Sequence, residues 1–127
     1  FQLLIYPVTQ IGAKRSSKSE YATGFYLTTE RMDWYDERYA GPEDDYRASP
    51  LVGEDLGGLA PAWIVTALAD PLRDEGEAYA ERLAEAGVEV RCDRFPLVHA
   101  WFNITASRSS RAAHAVLAEG LARRFAD

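Results

Sequence analysis

Residues 62–95 read AWIVTALADPLRDEGEAYAERLAEAGVEVRCDRF, and three patterns follow one another in them. Residues 62–68 (AWIVTAL) form a short, nearly continuous apolar run, as expected of a strand covered on both faces. From about Pro71 to Ala86 the period becomes helical. Tyr79, Leu83 and Ala86 recur at i, i+4 and i+7, acids fill the first turn, and Gly87 stands at the stop. Residues 88–95 then alternate, with Val88, Val90 and Cys92 on one face, the two-residue period of a strand. A helix joining two strands makes them parallel neighbours, so the stretch predicts an α/β fold.

The flanks extend this pattern. Residues 2–7 (QLLIYP) predict another strand buried on both faces and ended by Pro7. Residues 8–20 are small and polar and read as loop. In residues 21–41, Thr28 or Thr29 caps a helix reaching about Tyr39, with Met32, Tyr35 and Tyr39 on one face and Gly41-Pro42 as its stop. Residues 42–61 hold three prolines and three glycines and read as turns. Residues 96–103 (PLVHAWFN) read as loop. Ser109 or Ser110 caps a last helix, with Ala113, Val116, Leu117, Leu121 and Phe125 inward and Arg123 and Arg124 at its negative end. The expected architecture is about three parallel strands with flanking helices. So short a sheet leaves an open edge. The chain also begins inside a strand, with Phe1 rather than Met, so residues 1–127 are expected to be part of a longer domain.

Composition narrows the function. The chain is 47% apolar and 27% charged over 127 residues, which suits one globular unit. A net charge of −6 argues against nucleic acid or an anionic membrane as partner. The single cysteine, Cys92, excludes an internal disulfide and fits a cytoplasmic location. No apolar run approaches the roughly 20 residues of a membrane span. The sequence has no metal-ligand spacing, no P-loop and no GxGxxG, so no metal or cofactor is expected.

In open parallel sheets, ligands gather beyond the carboxyl ends of the strands. Asp70 is the first polar residue after 62–68, and His99 stands four residues past the expected third strand, on the adjacent connection. An aspartate accepting from one imidazole nitrogen fixes the ring and leaves the other nitrogen to take a proton from a nucleophile. The residues alone leave alternatives open. Asp70, followed by Pro71 and acids, also fits the N-cap of its own helix, and a capping side chain is less free to reach His99. His99 also fits a hydrogen-bonded loop histidine, and His114 a helix surface. Cys92 fits a small core residue, and mid-strand it is poorly placed as a nucleophile. Trp34, Tyr35, Trp101 and Phe102 fit a core. Trp101 and Phe102, close to His99, equally fit the lining of an apolar pocket.

Residues 48–103 resemble the C-terminal half of the α/β-hydrolase esterases of the hormone-sensitive-lipase-like family. The marks are Ser49-Pro50-Leu51, DPLRDEGEAYAERL (70–83), the Ala86-Gly87-Val88 turn, and His99 followed by an aromatic pair. FQLLIYP (1–7) and MDWYDERYAG (32–41) are similar to the strand and helix leading into that region. The resemblance implies a doubly wound sheet and a Ser–His–Asp triad in the chain order Ser, Asp, His, acting on small acyl esters without cofactor. It makes Asp70 the triad acid, with capping passed further along the helix, and His99 the general base. Asp74 and Glu75 remain first-turn helix acids, and Met32, Trp34, Trp101 and Phe102 become substrate-binding residues. Two departures stand out. The sequence has His99-Ala100-Trp101 where the family has His-Gly-Phe. It also has neither the G-x-S-x-G elbow nor the HGG(G) oxyanion loop, which in the family lie upstream. Without serine or oxyanion donors, the 127 residues alone are expected to be inert. The alternative is a non-catalytic interaction module, a hydrolase remnant that self-associates as a homodimer or strand-exchanged oligomer.

Overall fold

The computed structural model describes residues 1–126. Its strands are β1 (Gln2–Ile5), β2 (Ala62–Ala69) and β3 (Val90–Val98). Its helices are α1 (Ser16–Glu20), α2 (Thr29–Tyr39), α3 (Arg73–Glu85) and α4 (Arg108–Arg124), with 3-10 turns at Pro50–Val52 and Trp101–Asn103. The strands run parallel in the order β1-β2-β3, and Ala62 sits opposite both Gln2 and Val90.

β2 organises the core because its alternating side chains feed two apolar layers. Ala62 and Ile64 pack with Tyr79, Ala80 and Leu83 of α3 and with Leu51 and Leu56. Trp63, Val65 and Ala67 pack on the other side with Trp101 and with Ala113 and Leu117 of α4. The Trp63 indole claims so much of that layer that a Cβ at Gly120 of α4 would run into it. The strand is buried from Ala62 to Ala67.

Several expectations give way to the tertiary environment. β1 is only half-buried, since among the described residues it pairs with β2 alone. A short helix, α1, forms in the expected loop, and its Ser17 is buried against the start of α3. α2 is capped by Thr28, whose side chain accepts from the Arg31 N–H at 3.2 Å. Only Met32 of α2 is buried, while Tyr35 and Tyr39 are exposed. That helix stops at Ala40, in the left-handed region at φ 50°, one residue before the expected glycine. α3 begins at Arg73 rather than Pro71. β3 runs through Pro96 to Val98, past the expected end at Phe95. Proline has no N–H to give and is tolerated on a strand whose outer side has no partner among the described residues. Cys92, expected in the core, is exposed on this same edge strand. The cap of α4 is Ser107, not Ser109 or Ser110, and accepts from the Ser110 N–H at 3.3 Å. Ala113 and Leu117 face inward as expected, but Val116 and Phe125 are exposed.

Candidate active site

β2 ends at Ala69, and the next residue, Asp70, is completely buried. Oδ1 of its carboxylate accepts from the Leu72 N–H at 2.9 Å, a local turn that starts α3. Oδ2 lies 2.9 Å from Nδ1 of His99. Asp70 does not cap α3, whose N-cap is Leu72 without a side-chain bond. The two oxygens of Asp70 instead divide between the turn before the helix and the histidine. A carboxylate only accepts, so the shared proton belongs to Nδ1 and leaves Nε2 as the basic nitrogen. His99 follows β3 directly, rather than by four residues, so both members sit at adjacent strand ends.

Ala100 holds φ at 62°, the left-handed conformation that glycine adopts freely and alanine resists. That turn sends Trp101 into the core. Trp101 is fully buried, with ring centroids 5.4 Å from Phe95 and 5.6 Å from His114. It anchors the histidine loop from beneath and is not among the residues that line the cavity beside His99. Phe102 packs edge-on against His114 at 4.7 Å, and its carbonyl lies 2.9 Å from Nε2 of that residue. Trp34 is half-exposed, under the Arg38 guanidinium at 3.8 Å. Neither Phe102 nor Trp34 reaches His99's cavity. That cavity, about 310 Å³, is lined by His99, Tyr6, Val8, Gln10, Met32 and Leu72 among others, so Met32 alone of the four expected pocket residues belongs to it.

The sequence reading missed what the remaining acids of DPLRDEG do. Asp74 Oδ2 accepts from the Ser17 N–H at 2.8 Å, and the Ser17 hydroxyl accepts from the Asp74 N–H at 3.2 Å. Burial pushes the Asp74 carboxyl up, but the bonds from Ser17 and Arg73 outweigh it and hold the group below its usual range. Glu75 is only 2% exposed. Its Oε1 accepts from the Thr9 N–H at 2.7 Å and the Gln10 N–H at 3.1 Å, and the Thr9 hydroxyl donates to the Glu75 carbonyl at 2.8 Å. Desolvation pushes this carboxyl up to about 7, against the pull of the two N–H donors. Both acids thus staple residues 9–17 onto α3, and that segment carries part of the cavity wall. Nothing local marks this role, because the partners lie 57 and 66 residues away.

Cys92 is not near this arrangement. It pairs across the sheet with Ile64. Although the residue is exposed, it lies in a shallow groove with Glu77, Ala80 and Ala84, and this partial cover and then Glu77 and Asp93 push its thiol up to about 11, the reverse of an activated nucleophile. Among the described residues, no group of three or more His, Cys, Asp or Glu is placed to hold a metal, and no helix is long and apolar enough to cross a membrane.

A parallel sheet with helices on both faces, and an aspartate–histidine pair at its carboxyl edge, define the chain as an α/β protein with a strand-end site. The chain belongs to the alpha/beta hydrolase fold family, whose sequence model matches residues 1–103. It is 46% identical over 93 residues to the carboxylic ester hydrolase LipN of Mycobacterium tuberculosis, covering 70% of this chain and 25% of that protein. It is 41% identical over 98 residues to an ethyl acetate hydrolase of Pseudomonas putida, covering 75% of this chain and 31% of that protein. The solved esterase of Pyrobaculum calidifontis superposes with a TM-score of 0.88 at 32% identity, covering 99% of this chain and 43% of that one. The chain thus spans about a quarter to a third of the length of these two curated relatives.

Proposed function

We propose that Asp70 and His99 are the acid and the general base of a carboxylic-ester hydrolase whose nucleophile is a serine outside the G-x-S-x-G-free sequence of these 127 residues. In this reading His99 Nε2 takes the serine proton as the hydroxyl attacks the ester carbonyl. Asp70 stabilises the imidazolium, and the proton passes to the departing alcohol. Water then repeats the cycle on the acyl-enzyme and releases the acid. The observation that carries the reading is the 2.9 Å contact between Nδ1 and Oδ2, made by a fully buried carboxylate beside a partly apolar cavity. The relatives named as ester hydrolases support the small acyl ester as substrate class. A cytoplasmic location belongs to the same proposal.

The test has two arms. The 127-residue chain, mixed with a short-chain p-nitrophenyl ester, is expected to show no turnover above buffer. Turnover that disappears in His99→Ala would overturn the claim that it is inert alone. In a polypeptide that joins this chain to a serine elbow, Asp70→Asn is expected to lower kcat by roughly 10³–10⁴-fold. An unchanged kcat there removes Asp70 from the mechanism.

One observation favours a second reading, a self-associating module. Among the described residues, β1 and β3 each pair on one side only, which leaves two strand edges open to another chain. Sedimentation from micromolar to near-millimolar concentration checks this reading, and a concentration-independent monomer removes it.

A further inference from the structure

Tyr6 occupies a conformation that its sequence context opposes. It is the first residue after β1, and its N–H still donates to the Val65 carbonyl at 2.7 Å. Its φ is then 41°, in the left-handed region, where a bulky side chain is strained. Pro7 follows, and a residue before proline is pushed toward extended backbone. Strain of this kind persists only where the surroundings impose it, and it gathers at working sites.

The strained turn determines where the ring goes. The Tyr6 ring centroid lies 4.5 Å from that of His99, with the planes tilted by 55°. On another side it meets Trp101 edge-on at 6.2 Å. Both separations fall in the range of favourable aromatic pairs. Extended backbone at position 6 would carry the ring elsewhere.

A single hydrogen bond makes such a neighbour necessary. The contact from Nδ1 to Asp70 sets one vector of the imidazole, but the ring remains free to swing about that line. A rigid ring against the imidazole removes this freedom, and Trp101 backs the rigid ring in turn. We propose that Tyr6 is a positioning residue that sets the plane of the His99 imidazole, with Asp70 setting its direction. The proposal rests on the reading of His99 as general base. The phenol is suited to this passive task. Desolvation and then the Asp70 charge hold its hydroxyl above the ordinary value, so it stays neutral.

NMR of the 127-residue chain tests the proposal without any activity measurement. The wild-type chain is expected to show contacts between the Tyr6 and His99 ring protons and a protected, downfield His99 Nδ1–H. Absence of those ring contacts overturns the proposal, whatever any variant does. Tyr6→Phe keeps the ring and is expected to retain the downfield proton. Tyr6→Leu, with the amide spectrum of the rest of the fold unchanged, is expected to lose it to exchange with water. If Tyr6→Leu retains that proton while Asp70→Asn abolishes it, the positioning role fails and the Asp70–His99 pair stands. If Asp70→Asn also leaves it unchanged, the reading of the pair fails instead.

Discussion

At the residue scale, Glu75 shows how a position in the sequence conceals a task. It stands where a helix favours an acid, yet the fold buries it and uses Oε1 to hold two backbone N–H groups of the segment after β1. Its folded value is about 7, above the ordinary 4.5. The folded state therefore binds more protons than the unfolded state between those values, and the Glu75 contribution to stability falls as pH rises through that window. Below about 4.5 both states are protonated and the penalty vanishes. Glu75→Gln keeps an acceptor oxygen and cannot ionise. Its stability relative to wild type is expected to rise by about 3 kcal/mol or less between pH 4.5 and 8. Parallel denaturation curves across that range would count against a shifted Glu75.

At the element scale, α4 and β2 meet through a residue that looks expendable. Gly120 lies in the helix interior, where glycine is normally unfavourable, yet it gives the Trp63 indole its room. Gly120→Ala improves helix propensity by about 1 kcal/mol. It also drives a methyl into a packed ring, and overpacking typically costs about 1–3 kcal/mol. The expected net result is a lower midpoint in urea with m unchanged, and a higher midpoint would show that the indole yields easily. Packing likewise grades the helices by exposure. α3 buries five residues over 13, whereas α2 buries only Met32 over 11. Amide exchange is therefore expected to be fastest in α2 and slowest in β2, whose groups are paired on both sides. Equal protection in α2 and α3 would contradict this order.

At the scale of the whole molecule, one sheet of three parallel strands carries two separate working layers. Below β2 and above it, the apolar clusters supply stability. At the carboxyl edge, the ends of β2 and β3 bring Asp70 and His99 together from 29 residues apart. The segment after β1, stapled to α3 by Ser17, Thr9 and Gln10, closes one wall of the cavity beside them. The architecture thus makes one strand–helix–strand unit responsible for the aspartate, the histidine and the support of the wall.

Much of this was legible in the linear order of residues. The apolar run at 62–68, the helical period of Tyr79 and Leu83, and the alternation from Val88 each express a local period, and local periods survive without tertiary context. The placement of Asp70 and His99 at strand ends follows from those periods, because parallel neighbours put successive strand ends on one edge. Other features were decided only when distant segments met. Trp101 became a fully buried core residue where Ala100 turns left-handed after His99. Cys92 became exposed because β3 is an edge strand among the described residues. Asp74 and Glu75 acquired their partners from residues 9–17, and Tyr6 came to lie against His99 across the sheet. By itself, the sequence determined the three strands, the three longer helices and the sheet edge that carries Asp70 and His99, since these depend on neighbours in the chain, whereas α1 forms only against α3. Only the tertiary structure decided which side chains surround that site, since burial and long-range hydrogen bonds depend on neighbours in space.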